Sequence, residues 1–321
     1  MEQFLNNLIT KIMNNIKILI TGATGKLAES ISTILSNETR YSIYLASCNA
    51  QKIKETKRIS DIYNVSILDS KKFKDLCYNI RPDFIINTSG ISDFSLCEKD
   101  KKLAWDLNVT APMNLSSICR VIDSHLICFS SDLVFDGGKG PYTEDEKPNP
   151  QTYFGKTKHA MENECLYNLN NCTIFRITKL YGLSSYNKDD FVHDIFHFSE
   201  NEDIIKMQEG RFSNPVFADD IGLAVMGAIE KHRTGVYHLG GKDWLSEIEV
   251  FRKTASILGI DTDRIQLIPA EKTAFNVRIM NKFGLITLKS STDLGVKFTS
   301  LENGVSAIGF RIKEKYKWYK G

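Results

Sequence analysis

The sequence predicts an α/β protein in which a doubly wound parallel sheet is followed by a smaller C-terminal lobe. Three observations carry that prediction. Short β-branched runs alternate with amphipathic stretches through the first half of the chain. A glycine-rich turn joins the first of these runs to the first helical stretch. The strand-helix rhythm then breaks after Tyr181-Gly182.

Taken in order, residues 1–15 place Phe4, Leu5, Leu8, Ile9, Ile12 and Met13 at helical spacing. They lack the basic start of a secretory signal and the Arg richness of a transit peptide, so they read as a short helical N-terminal extension. Strands are predicted at Ile16–Ile20, Ser42–Ala46, Val65–Leu68, Asp83–Thr88, His125–Ser130 and Cys172–Ile177, with the first helix opening near Lys26. A polar, aromatic stretch runs to about Asp219. A helix over Ile221–Lys231, a strand at Gly235–Leu239 and a helix around residues 246–258 follow, and the chain ends in a basic, aromatic tail. The sheet domain is therefore expected to comprise residues 16–182 plus 219–241, and the lobe residues 183–218 plus 242–321. The loop Asp136–Pro150, rich in Gly, Pro and acids, falls beyond the carboxyl end of a strand, where α/β sheets collect ligands, and reads as a substrate cover.

Bulk properties exclude several classes. With 321 residues the chain is long enough to bury a sizeable core. The 41 basic residues are balanced by 39 acidic ones and form no run, which argues against a nucleic-acid partner. No apolar run approaches the roughly 18 residues of a membrane span. Seven scattered Cys without a C-x-x-C pair read as reduced core thiols, and hence a cytoplasmic protein. His193 and His197 are four apart, but the intervening residues do not form the metalloprotease arrangement, and no metal site is expected.

The run from Ile18 to Ala28 reads strand, tight turn, helix start. Gly22 and Gly25 let the backbone turn sharply, and the helix N-terminus that follows offers free N–H groups and partial positive charge to a pyrophosphate. The run reads as a Rossmann-type dinucleotide site, with Gly22, Thr24, Gly25, Lys26 and Leu27 expected around the phosphates. The acidic residue usual about 20 positions further on is missing. Ser47 and Lys52 stand there instead, a hydroxyl and a cation suited to a ribose 2′-phosphate, so NADP(H) is favoured over NAD(H).

Further segments follow in order. They are Asn87-Thr-Ser-Gly90, Asn108 in its helix, Ser130-Ser-Asp132 running into Asp136-Gly-Gly138, Pro148-Asn-Pro150 before Gly155-Lys-Thr-Lys158, Arg176 with Leu180-Tyr-Gly182, Arg211-Phe-Ser-Asn-Pro215, and Tyr237-His-Leu-Gly240. Over about residues 16–300 the chain thereby resembles the extended short-chain dehydrogenase/reductases, and within them dTDP-4-dehydrorhamnose reductase and its relatives. The resemblance implies a C-terminal lobe that binds a nucleotide-linked sugar. It implies that Asp69 and Ser70 lie near adenine, that Thr88, Ser89 and Gly90 line the cofactor, and that Lys158 holds the nicotinamide ribose. Asp190, Phe191 and Arg211 are the further candidates for substrate contacts, by charge-assisted bonds to the pyrophosphate and stacking on the base.

One departure bears on mechanism. The superfamily resembled here pairs a Tyr with a Lys four residues later, and the Tyr hands a proton to the carbonyl while a Ser or Thr polarises it. Ser131 and Lys158 supply two of those groups, but the Tyr position is Phe154. Losing a positioned acid costs roughly 10²- to 10⁴-fold, or about 3 to 5 kcal/mol. Tyr153 is the neighbouring phenol, yet one residue turns a helix by about 100°. Asp132 is a second candidate acid, because a carboxylate facing an apolar ring titrates high; a water held by Ser131 is a third source.

Three activities remain open on these residues. The first is an NADPH-dependent reductase of a keto group on a nucleotide-linked deoxysugar, with Ser131, Asp132, Tyr153 and Lys158 as candidate catalytic residues and Ser131 and Asp132 also touching substrate. The alternative is a regulatory subunit that holds cofactor or nucleotide sugar, a fate shared by the beta subunit of methionine adenosyltransferase, which resembles the same branch. An NAD-dependent epimerase or dehydratase ranks third. The resulting assembly is expected to be a homodimer or a complex with a partner enzyme.

Overall fold

The runs that read as strands are apolar on successive residues because both faces of the sheet are covered. β1 (Ile16–Thr21) is buried from Ile18 onward, and β5 (His125–Ser131) is buried throughout. The computed structural model describes residues 15–53, 58–185, 190–200, 205–208, 210–260, 265–268 and 282–317. The helix expected over residues 1–15 lies outside them except for Asn15.

In chain order the first half comprises β1, α1 (Lys26–Leu35), β2 (Tyr41–Ser47), β3 (Ile59–Asn64), α2 (Ser70–Ile80), β4 (Phe84–Asn87), α3 (Phe94–Lys99), α4 (Lys101–Trp105), α5 (Ala111–Ile122), β5, α6 (Tyr153–Asn168) and β6 (Cys172–Ile177). The remainder is β7 (Leu180–Tyr181), α7 (Phe191–Glu200), β8 (Ile205–Gln208), β9 (Phe212–Ser213), β10 (Val216–Phe217), α8 (Ala218–Glu230), β11 (Gly235–Leu239), β12 (Leu245–Ser246), α9 (Glu247–Leu258), β13 (Ile265–Ile268), α10 (Leu288–Leu294) and α11 (Leu301–Lys317). Seven strands form one parallel sheet in the order β11-β6-β5-β4-β1-β2-β3. The chain leaves β1 in one direction, through β2 to β3, and returns to β4 on its other side. The crevice beyond the carboxyl ends of β1 and β4 is therefore the switch point at which doubly wound sheets bind ligands.

One face of the sheet packs Ile18, Ile20 and Ile43 against Ile31 and Leu35 of α1 and Ile221 and Val225 of α8. The other packs Leu19, Ile85 and Leu126 against Phe73 of α2, Leu115 of α5 and Met161 of α6. Five buried thiols, Cys77, Cys119, Cys128, Cys165 and Cys172, fill that second layer as small apolar groups, and all seven cysteines are free. A separate apolar cluster joins Tyr181, Val192 and Ile195 to Val250, Phe251 and Ala255 of α9 and Val305 and Ile308 of α11.

The third strand differs from expectation. Val65–Leu68 is not a strand; β3 lies earlier, at Ile59–Asn64. The sheet edge accepts an amphipathic run in which Ile59 and Ile62 pack on the core while Ser60 and Asp61 face out, a better edge than a wholly apolar one. Val65 and Ile67 instead fill the turn into α2. Asp69 consequently caps α2 rather than ending a strand.

Candidate active site

The phosphate end is built by β1, β4 and α1. Gly22 turns with φ +66°, and a Cβ there would come within 2.8 Å of the Ser89 amide. Only glycine permits both. Gly25 sits at the N-cap of α1 with its own amide given to the Gly22 carbonyl at 2.9 Å. The amides of Lys26 and Leu27, in the first turn beyond it, have no helical acceptor of their own and face the crevice end of the sheet. Polar side chains brace this turn: Thr88 Oγ1 donates to the Thr21 carbonyl (2.6 Å), Ser89 Oγ to Thr21 Oγ1 (3.0 Å), and Thr21 Oγ1 to Asn87 Oδ1 (2.7 Å).

Beyond β2, Thr24 Oγ1 and Ser47 Oγ lie 3.3 Å apart, and Ser47 accepts the Asn49 amide. Lys52 stands exposed in a 3₁₀ turn at Ala50–Lys52. Asp69 accepts the Lys72 amide and pairs with the Lys72 ammonium at 3.0 Å, and those bonds hold its carboxyl below the usual range.

The opposite end of the crevice gathers around Lys158. Helix α6 opens on Thr152, whose hydroxyl caps the Gly155 amide. Its Lys158 ammonium donates to the Phe129 carbonyl of β5 at 3.0 Å and lies 3.5 Å from where a Gly90 Cβ would be. Burial pulls the Lys158 pKa down. Asn108 sets this spacing. It sits in a π-helical turn, Asp106–Thr110, of the kind that re-aims a side chain within a helix. Its amide nitrogen donates to the Ile91 carbonyl (3.0 Å) and Thr157 Oγ1 (3.1 Å), while its oxygen accepts the Ile91 amide (2.9 Å). The Gly90 loop and α6 are thereby tied together one residue from Lys158.

Ser131 ends β5 and caps a short 3₁₀ turn, accepting the Leu133 amide at 3.2 Å. Its hydroxyl is 3.1 Å from Asp132 Oδ1. The Asp132 carboxyl is buried, and desolvation pushes its pKa up to about 6 against the opposing bonds from Ser131 and backbone amides and the Arg211 charge. The Phe154 ring is buried beside Lys158, 5.8 Å from its ammonium, and meets Phe94 edge-on at 5.4 Å. An apolar ring thus fills the position four residues before Lys158. Tyr153 is not part of this group. Its hydroxyl donates to the Lys101 carbonyl at the start of α4 (3.2 Å), because the 100° helical step turns it toward α3 and α4.

Three of the remaining candidates, Asp190, Lys26 and Phe191, are otherwise engaged. The Asp190 carboxylate pairs with the Lys26 ammonium and accepts from His193 Nδ1 (2.9 Å) and the amides of Gly182, Val192 and His193. Burial opposes ionisation, but these partners prevail and hold its pKa down to about 2. Lys26 therefore spends its charge on the start of α7, not on the crevice. Phe191 is buried against Tyr181, their rings 5.2 Å apart, which leaves little face for a base. Arg211, half-buried, leads into β9.

A network that the sequence reading passed over lies behind Ser131. Arg176 of β6 makes two bonds, of 2.9 and 2.8 Å, to Glu162 of α6 and contacts His238 Nε2 at 3.3 Å. Burial and the Arg176 charge lower the His238 pKa to about 3, so it is neutral at pH 7. His238 Nδ1 is 3.2 Å from the Tyr142 carbonyl, and its amide donates to Glu144. The signal for this was an Arg inside an otherwise apolar strand, with an acid four residues beyond Lys158 on the same helical face. The network also anchors the 136–150 loop, which is bound on its far side by Tyr142 N to Gly284 O (2.9 Å) and Ile286 N to Tyr142 O (2.7 Å).

Sheet order and the glycine turn between β1 and α1 are those of a Rossmann-type dinucleotide-binding fold, with Ser131 at the end of β5 and Lys158 on α6. The sequence model described as the RmlD substrate binding domain matches residues 16–308, and the chain belongs to that family. It is 26% identical to methionine adenosyltransferase 2 subunit beta of Xenopus tropicalis over 282 residues, covering 83% of this chain and 79% of that protein. It is 24% identical to dTDP-4-keto-6-deoxy-D-glucose reductase of Streptomyces niveus over 258 residues, covering 80% and 83%. The solved structure of dTDP-4-dehydrorhamnose reductase from Bacillus anthracis in complex with NADP superposes with a TM-score of 0.79 at 21% identity, over 92% of this chain and 99% of that one. Among the described residues no helix is long and apolar enough to cross a membrane, and no group of three or more His, Cys, Asp or Glu is placed to hold a metal ion.

Proposed function

We propose that this protein is an NADPH-dependent reductase of a keto group on a nucleotide-linked deoxysugar. The observation that carries the reading is the meeting of Lys158 with the Gly90 loop while Ser131 ends the neighbouring strand. The amides after Gly25 would hold the diphosphate of a dinucleotide, and the Lys158 ammonium would hold its nicotinamide ribose. When bound, the dinucleotide supplies the hydride. The chain's own part is to hold the ring and the sugar face to face, exclude water, and polarise the carbonyl through Ser131. Ser47 and Lys52 beyond β2, in a run from Ser47 to Lys52 that contains no acid, suit a 2′-phosphate. That the relatives include sugar-nucleotide reductases supports the substrate class. The test follows reduced-nicotinamide absorbance with a panel of nucleoside-diphosphate 4-keto-6-deoxysugars. Consumption of NADPH is expected with at least one, and flat traces across the panel contradict the reading.

A second reading is favoured by one observation, the Phe154 ring at the position four before Lys158, together with the similarity to a methionine adenosyltransferase beta subunit. In it the same crevice holds a dinucleotide or nucleotide sugar without turnover, and the protein acts through a partner enzyme. Co-purification with a second enzyme whose activity changes on binding, combined with no turnover by the isolated chain, distinguishes it.

A further inference from the structure

The proposed reaction requires one proton for each hydride, and the residue best placed to give it by position, Phe154, has none. Other groups near Lys158 are committed. The Tyr153 hydroxyl is bonded to Lys101 on the α4 side, and the Cys97 thiol donates to the Ile91 carbonyl at 3.8 Å while burial raises its pKa. Lys158 gives one donor to Phe129. Resting on the reductase reading, we propose that Asp132 supplies the proton through Ser131, as a two-step relay from carboxyl to hydroxyl to substrate oxygen.

The geometry allows it. Ser131 Oγ stands 3.1 Å from Asp132 Oδ1 and accepts the Leu133 amide, and a hydroxyl has two lone pairs and one proton. With Asp132 protonated, Ser131 accepts from Leu133 and Asp132 and keeps its own proton for the carbonyl. The hydride carries two electrons from the dihydronicotinamide to the carbonyl carbon, making a C–H bond and oxidising the cofactor. The C=O π pair moves to oxygen, which takes the Ser131 proton; Ser131 takes the Asp132 proton. A carboxylate is left, to be reprotonated from solvent after product leaves. The groups acting on Asp132 are the Ser131 hydroxyl, the amides of Asp132 and Leu133, and the Arg211 charge, which favours the carboxylate formed. Burial works the other way and keeps the proton available near pH 6, far above an ordinary aspartate. Asp132 acts through Ser131 and so positions and feeds the proton rather than touching the carbonyl itself.

The experiment compares unmodified protein, Asp132→Asn, and Asp132→Asn combined with Phe154→Tyr, using NADPH and the responsive ketosugar. Asp132→Asn is expected to lower kcat by about 10²-fold or more with NADPH affinity unchanged. The unmodified protein loses activity as pH rises through the region where Asp132 gives up its proton, and that limb is absent from the residual rate of Asp132→Asn. Adding Phe154→Tyr restores rate by placing a phenol four residues before Lys158. Turnover that keeps its rate and pH limb in Asp132→Asn overturns the relay and leaves the reductase reading standing. Absence of turnover in the unmodified protein overturns both.

Discussion

At the scale of single residues, Lys158 and Asp132 carry opposite consequences. Lys158→Met removes an ammonium that lies beside the Gly90 loop, and NADPH affinity is expected to fall about 10-fold or more, the worth of a charge-assisted bond; titration calorimetry reads it. Asp132 is a cost to the fold. Its folded pKa, raised to about 6, exceeds the unfolded value, so the folded state binds the extra proton and loses stability as pH climbs from about 4 through about 6. Asp132→Asn is therefore expected to raise stability at pH 7 by about 3 kcal/mol even as it lowers turnover. Denaturant melts at pH 5 and pH 7 test this, and a variant less stable than the parent at pH 7 contradicts it. Asp190 has the reverse sign. Its pKa is depressed to about 2, so its contribution is complete above about 4 and is lost as pH falls toward 2. The placement of Ser131 and Asp132 at the end of β5 and of Lys158 on α6 was legible because each occupies a fixed offset in a short segment. The commitments of Asp190 and Tyr153 were not, because they depend on partners 164 and 52 residues away.

At the scale of elements, the first turn of α1 has two jobs. Its free amides face the crevice, while its side chains hold the segment that leads into α7: Lys26 pairs with Asp190, and Glu29 accepts from Ser184 Oγ and the Ser185 amide, both at 2.8 Å. Lys26→Met leaves the Asp190 carboxylate buried without its cation, at a cost of about 3 to 5 kcal/mol. Faster amide exchange across α7 than in the parent is expected, and unchanged α7 protection contradicts it. The opening of α6 is equally constrained. A Cβ on Gly155 would stand 2.2 Å from the Leu133 carbonyl, so Gly155→Ala has to push α6 off the Ser131–Leu133 turn. Destabilisation by about 1 to 3 kcal/mol is expected in urea melts, with Lys158 shifted from Gly90 and weaker NADPH binding. Most strands were readable from β-branched runs. β3 was not, because an edge strand favours polar alternation that resembles a loop, while the apolar Val65–Leu68 run spends its hydrophobicity in a turn.

At the scale of the molecule, parallel order follows from strand-helix alternation, and the switch point follows from β4 returning beside β1. That much was available from periodicity and the Gly22–Gly25 turn. The Arg176–Glu162–His238 network, which links β6, α6, β11 and the 136–150 loop, joins residues whose pairing only the folded sheet reveals. The proposed reductase requires a dinucleotide in the crevice beyond the carboxyl ends of β1 and β4 before any chemistry can follow. The most direct measurement is titration calorimetry of the full chain with NADPH and with NADH. Saturable binding of NADPH, tighter than NADH and weakened by Lys158→Met, is expected. No heat with either dinucleotide, or binding indifferent to Lys158, contradicts the proposed reductase.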